Sequence, residues 1–167
     1  MLRCGLPKHD EEERPEVRIE TFIGKQLRLK SHTVTKVEES EEWITVHIDR
    51  LGRRLLRCGL CRQRCREVYD ICQKRTGRDL SMRKLSLRLR YRPRRVDCPR
   101  CGVRVEDFAW AEPWARVTTT LANAVAVLAR ELSWQATARH YGWNWKSVAT
   151  IVKRAVEYGL PPAAPRS

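Results

Sequence analysis

Residues 85–105 read "LSLRLRYRPRRVDCPRCGVRV", and two patterns in that stretch set the architecture. Over Leu85 to Arg92 apolar and polar residues alternate. Leu85, Leu87, Leu89 and Tyr91 fall on one side of an extended chain, and Ser86, Arg88, Arg90 and Arg92 on the other. The apolar side suits a small core, and three guanidiniums line the outside. Pro93 interrupts, and "RRVDC" resumes extended chain into a cysteine pair, Cys98 and Cys101. Such a pair is a redox dithiol, half of a disulfide framework or half of a metal site.

A second pair, Cys58 and Cys61 in "CGLC", favours the metal. A two-residue gap lets both sulfurs face one ion from a tight turn, and two such turns make a tetrahedral thiolate site that suits zinc. Gly59 and Gly102 fit turns that need backbone freedom or close approach of N–H groups to sulfur. The 36 residues between the pairs exceed the usual spacing of about 15–20 and leave room for a strand-rich excursion. A redox pair follows a strand and opens a helix, whereas "CPRC" is followed by the alternating "GVRVED". The first 25 residues carry Asp10-Glu11-Glu12-Glu13 and no apolar segment of a secretory leader. A reducing compartment is then expected, and seven cysteines is an odd number for a disulfide framework. The expectation is structural Zn2+ on Cys58, Cys61, Cys98 and Cys101, since four thiolates leave no open position of the kind catalytic zinc keeps. The alternative of free core cysteines stays open. So does replacement of one ligand by Cys65 or Cys72, with Cys61 and Cys65 competing in "CRQRC". Cys4 reads as an unpaired thiol, and His47 and His140 read as structural.

The charge points the same way. Of a net +14, residues 50–104 carry 19 basic and 4 acidic side chains, residues 1–49 carry 8 and 11, and residues 105–167 carry 7 and 5. A basic block of that size is the footprint of a polyanion, above all nucleic acid. There is no long apolar run and no lysine-rich amphipathic helix, so no membrane partner is expected, and the expected location is cytoplasmic. Residues 1–15 read as a flexible leader. "PEVRIETFIGKQLRLK" reads as a short helix with Val17, Ile19, Phe22, Ile23 and Leu27 near one face. "HTVTKVEE", "WITVHIDR" and "RRLLRC" read as strands, with a tight turn at Arg50–Gly52.

From about residue 116 the basic extended chain gives way to "TTTLANAVAVLAREL". Thr118 or Thr119 can cap this helix, and Leu121, Ala124, Val125, Leu128 and Leu132 form its apolar stripe. "WQATARHYGWNWKSVATIVKR" then has the pattern of a helix-turn-helix. Small Ala138 allows close helix approach, Gly142 makes the turn, and Thr137, Tyr141, Val148 and Ile151 close a shared core. Trp145–Tyr158 is the helix suited to a major groove, with Asn144, Lys146, Ser147, Thr150, Lys153 and Arg154 facing outward as donors for phosphates and base edges. Trp143 and Trp145 read as core residues. The tail 161–167 reads as disordered.

Together "HTVTKVEESEEWITVHIDRLGRRLLRCGLC", "VYD" and "LRLRYRPRRVDCPRCGVRVEDFAWAE", followed by an Ala/Leu helix and the helix-turn-helix, resemble the N-terminal region of insertion-sequence transposases of the ISL-three family, from about Ile19 to Leu160. The resemblance implies a zinc finger and a helix-turn-helix that bind the terminal inverted repeats of a mobile element in bacterial or archaeal cells. In that family a large domain with an acidic catalytic triad follows. This sequence ends at Ser167, and Glu106, Asp107, Glu112, Glu131 and Glu157 fall in a linker and on helices, so no catalytic residue is assigned and the chain itself is not expected to be an enzyme. The expected fold is α+β: an N-terminal helix and β-rich zinc module over 16–115, then an all-α helix-turn-helix domain over 116–160. The expected function is double-stranded DNA recognition. The zinc module would contribute backbone contacts through Arg88, Arg90, Arg92, Arg94 and Arg95, with a homodimer or a catalytic transposase as partner. A stand-alone regulator of transposition or transcription, and an RNA-binding zinc protein, are the alternatives.

Overall fold

Alternation over 32–50 and 86–91 produces strands, as read from the sequence, but the chain returns to that sheet by an unexpected route. The structure is a computed structural model that describes residues 18–29, 31–51, 56–112 and 115–158. In chain order it contains α1 (Ile19–Gln26), β1 (His32–Glu39), β2 (Trp43–Arg50), β3 (Leu56–Arg57), β4 (Arg64–Cys65), β5 (Val68–Ile71), β6 (Arg75–Arg78), β7 (Ser86–Tyr91), β8 (Arg94–Cys98), β9 (Gly102–Val105), α2 (Thr119–Glu131), α3 (Trp134–Tyr141) and α4 (Trp145–Tyr158). The content is mixed α and β, with strands preceding three consecutive helices.

The first sheet has the order β1-β2-β7-β6. β2 and β7 run parallel, with Val46 opposite Leu89, while the outer pairs are antiparallel. A parallel pair needs a long crossover. Here residues 51–85 supply it, and they contain the first cysteine pair and β3 to β6. β5, β8 and β9 form a separate three-stranded sheet, and β3 and β4 a two-stranded one.

The inward face of β7 matches its alternation: Leu87, Leu89 and Tyr91 are buried with Val34, Val46 and Ile48. α1 closes this core through Ile23, with Leu27, Phe108 and Trp110 packed alongside. Only part of the apolar stripe expected on α1 is used. Ile23 is buried, but Ile19 and Phe22 are exposed, and Val17 lies outside the described residues. The short α1 touches the sheet through one turn. The expected turn at Arg50–Gly52 falls partly outside the described residues. Arg50 ends β2 in the ladder, and Gly52 lies outside the described residues. β1 and β2 are joined at Ser40–Glu42, where the Ser40 hydroxyl accepts a hydrogen bond from Trp43 N–H at 3.2 Å.

Between the first sheet and the cysteine-bearing strands lies a buried carboxylate. Glu106 is fully enclosed, ion-paired with Arg50, and accepts from the Tyr91 hydroxyl at 2.5 Å and from Arg94 N–H at 2.9 Å. A carboxylate buried this deeply survives only when it is paired and hydrogen-bonded. Glu106, read from the sequence as part of a linker, instead continues β9 and bridges to Cys58.

The helices pack as a third unit around Leu121, Val125, Ala138 and Val148. Thr118 is the cap of α2, its hydroxyl accepting from Leu121 N–H at 3.2 Å. Leu132 is exposed because the chain turns extended there, so the stripe of α2 ends earlier than its sequence suggests. α3 ends at Gly142, whose φ of 62° is left-handed and natural for glycine. Thr137 and Val148 are fully buried, with Tyr141 and Ile151 packed beside them. Trp143 packs on this core as expected, whereas Trp145 is exposed. The unit is tied to the first sheet where Arg78 N–H donates to Arg116 C=O at 2.8 Å and Thr118 N–H donates to Arg78 C=O at 2.9 Å.

His32 sits in the first core against the rings of Tyr91, Phe108 and Trp110. Burial, reinforced by the nearby charges of Arg50 and Arg94, holds its imidazole down to about 4. The unfolded chain takes up this proton near pH 6.5 and the folded chain resists it to about 4. Stability from this group is therefore complete above about pH 6.5 and falls as pH drops toward 4, by about 3 kcal/mol in total. Denaturant unfolding of wild type and His32→Phe between pH 7 and 4 should show the variant losing less stability across that window.

Candidate functional site

Each cysteine pair occupies a hairpin turn, and one piece of backbone makes the two turns face each other. In the second, Cys98 ending β8 pairs with Gly102 opening β9, and Gly102 has φ 66°. In the first, Cys58 N–H donates to Gln63 C=O at 2.9 Å and Arg62 N–H donates to Cys58 C=O at 2.8 Å. Arg62, with φ 57°, holds the place after the second cysteine that Gly102 holds in the other turn. The glycine expected to relax the first turn, Gly59, is not the residue with positive φ. It pairs instead with the neighbouring strand, donating to Val105 C=O at 2.9 Å, while Asp107 N–H donates to Arg57 C=O at 2.8 Å. β9 and its continuation thus lie between the two turns.

The result is a cluster. The sulfurs of Cys58, Cys61, Cys98 and Cys101 all lie within 4.8 Å of one another, and those of Cys61 and Cys98 are 3.5 Å apart. Four sulfurs at about 2.3 Å from one tetrahedral ion stand about 3.8 Å apart, so the donor set and its spacing fit a metal ion of zinc type. Cys58 and Cys98 are buried, Cys61 and Cys101 half-buried. Burial opposes ionisation of Cys98, yet its thiol is held down to about 6 because the N–H groups of Arg100 and Cys101 and the thiols of Cys61 and Cys58 donate to it. Cys101, donating to Cys61 and partly shielded, is pushed up to about 12.

Cys65 and Cys72, the two alternatives, fall outside the group of four sulfurs. Cys65 is buried beside the cluster, its thiol donating to Gln63 C=O at 3.5 Å and pushed up to about 11 by burial and by Cys98. Cys72 is half-buried, outside the four-sulfur group. His47, set aside as a ligand, has its Nε2 2.9 Å from the Glu38 carboxylate. His140 is exposed on α3.

The arginines singled out from the basic stretch do not form one uniform row. Arg90 and Arg92 are exposed. Arg94 is half-buried, its guanidinium 3.4 Å from Asp49. Arg95 is held by Asp70 through two hydrogen bonds, one of 2.7 Å from its Nε, and lies over the Tyr69 ring. Arg88 lies over the Trp43 ring. On α4 the expected outward residues behave alike: Lys146, Ser147, Thr150, Lys153 and Arg154 are all exposed, and so is Asn144. Asn144 has a local task as well, its side-chain oxygen accepting from Lys146 N–H at 2.9 Å at the start of the helix. Sequence reading gave no role to Trp43 and Arg78 on these surfaces, and placed the buried Glu106 in a linker. The strand alternation of "WITVHIDR" places Trp43 on the outer side, but nothing local ties it to Arg78.

Over 101 residues, 60% of its length, the chain is 35% identical to the transposase for insertion sequence element IS1001 of Bordetella parapertussis, and this match spans 25% of that protein's own length. The chain is thus related to an insertion-sequence transposase through a stretch that is a quarter of the relative. No protein-family profile matches the chain, and no solved structure matches it. No helix among the described residues is long and apolar enough to cross a membrane.

A left-handed conformation costs a residue with a side chain about 1–2 kcal/mol that glycine avoids. Arg62→Gly should therefore raise the stability of the folded chain by about 1 kcal/mol, read as a higher denaturant midpoint at constant zinc.

Proposed function

We propose that this chain is the DNA-recognition part of an insertion-sequence transposase. It would bind double-stranded DNA at the terminal inverted repeats of its element, on a fold held by structural zinc. The observation that carries this reading is the face of α4. Lys146, Ser147, Thr150, Lys153 and Arg154 are exposed on one side of a helix whose other side, through Val148 and Ala149, is buried against α2 and α3. α3, the Gly142 turn and α4 then act as a helix-turn-helix, with α4 in the major groove. Phosphate contacts position such a helix and base-edge contacts choose the sequence. Ser147, Thr150 and Asn144 suit base edges; the cations suit phosphates.

Zinc on Cys58, Cys61, Cys98 and Cys101 supplies cohesion rather than chemistry, since four thiolates complete its coordination. It holds β3, β4, β8 and β9 in a module too small to bury a core of its own beyond Leu56, Val96 and the cysteines. Exposed Arg90 and Arg92 add phosphate contacts. A two-fold dimer, or a catalytic transposase chain as partner, provides the second half-site that one recognition helix requires. The domain boundaries that follow are 16–115 for the helix and zinc module and 116–160 for the helical domain. No catalytic residue is assigned to this chain. An RNA-binding reading calls for base-stacking aromatics on the basic strand β7, and the one aromatic there, Tyr91, is 3% exposed in the core.

Two measurements test this. In a titration of a duplex carrying the element's end, log affinity should fall linearly with log salt with a slope of about −4 to −5, the sum for roughly five phosphate contacts. A flat dependence sinks the basic-surface reading. Metal analysis of the purified chain should find one zinc, and Cys98→Ser should lose it together with the folded module. Full zinc occupancy in that variant overturns the ligand set.

A further inference from the structure

Cross-strand register puts two arginines side by side on the outward face of the first sheet. Arg78 of β6 is directly opposite Arg88 of β7. The Arg88 guanidinium lies over the Trp43 ring, and that of Arg78 is 5.1 Å from the centroid of Trp43 and 5.9 Å from that of Trp143. Two guanidiniums are thus braced by two indoles, one from β2 and one from the turn that leads into α4.

This pair differs from three other partly buried arginines. Arg50 has Glu106, Arg94 has Asp49 and Arg95 has Asp70. Arg78 and Arg88 are also half-buried, yet among the described residues neither has an ion-pair partner. Like charges directly opposite each other destabilise a sheet. Burial and the charge of Arg78 push Arg88 below the ordinary guanidinium range, and Glu42 acts weakly against them. The fold therefore concentrates positive charge here with no carboxylate ion-paired to either guanidinium among the described residues. A guanidinium whose flat face lies on an indole keeps its N–H edge for a bidentate acceptor, the geometry of phosphate oxygens.

The location gives the anion its identity. The backbone of Arg78 is bonded to Arg116 and Thr118 at the entrance to α2, and Trp143 stands two residues before α4. The pair is consequently fixed next to the N-terminal end of α4. We propose that Arg78 and Arg88, braced by Trp43 and Trp143, form a clamp for one backbone phosphodiester of the duplex contacted by α4, and so set the register of that helix on DNA. The clamp rests on the duplex-binding reading above. It adds a contact made by the sheet, at residues outside both the helix and the exposed arginines.

The test uses the full zinc-loaded chain and a fluorescent duplex of about 30 base pairs carrying the element's end, titrated by anisotropy from low to moderate salt. Each phosphate neutralised contributes about 0.9 to the slope of log affinity against log salt. The Arg78→Gln/Arg88→Gln double variant should lose about one unit of slope and roughly tenfold in affinity, with zinc content retained. The Arg78→Lys/Arg88→Lys variant keeps the charge but not the fork. It should keep the slope and bind more weakly than wild type, and it serves as the folded comparison if the glutamine variant is unstable. Wild-type binding with an unchanged slope in the glutamine variant, or lysine variants as tight as wild type, overturns the clamp alone. Absence of duplex binding by wild type overturns both the clamp and the reading beneath it.

Discussion

The carboxylate of Glu106 is the point on which the rest of the chain depends. It is fully buried and bound by Arg50 from β2, the Tyr91 hydroxyl from β7 and the Arg94 amide from β8. Removing one partner of such a group leaves a charge in a low-dielectric interior, at a cost of about 3–5 kcal/mol. Burial and the adjacent carboxylate also hold the Tyr91 phenol above its ordinary range, which keeps its hydroxyl protonated as the donor to Glu106. The same backbone that places Glu106 bridges to Cys58, so the link between the sheets also aligns the first cysteine turn with the second.

That alignment explains how cysteines separated by a long excursion reach one point. Each turn is local and inexpensive to form, but bringing them together is a long-range closure whose entropy must be met elsewhere. The β9 continuation meets part of it through backbone pairing with Cys58 and Gly59. A cation held by the four sulfurs would offset the repulsion among thiolates clustered this closely and contribute the remainder. The excursion itself is not idle chain. It returns as β6 to pair with β7 and then carries Arg78 into the joint with the helices.

Much of the fold was legible because its signals are local. The alternation of β1, β2 and β7, the capping threonine of α2, the left-handed glycine after α3 and the outward donors of α4 all follow from neighbours in the chain. The four-cysteine cluster was legible too, since cysteine pairs at this spacing have few other uses. The failures also have physical causes. Ile19 and Phe22 look buried on a helical wheel, but α1 is eight residues long and meets the sheet over one turn. Gly59 looks like the flexible residue of its turn, whereas the strained position falls one residue after the second cysteine, on Arg62.

Sequence alone determined which residues are basic, which strand faces are apolar and where a metal could sit, because period and spacing are properties of adjacent residues. Only the tertiary structure decided which arginines keep their charge available. The carboxylates of Asp70, Asp49 and Glu106 lie 25, 45 and 56 positions from the guanidiniums of Arg95, Arg94 and Arg50 that they hold. Those encounters depend on strand order, on the parallel return of β7 and on the placing of β8 beside β5. The same topology put Arg78 opposite Arg88 with no carboxylate ion-paired to either among the described residues, and a count of charges along the chain does not distinguish that pair from the arginines already held.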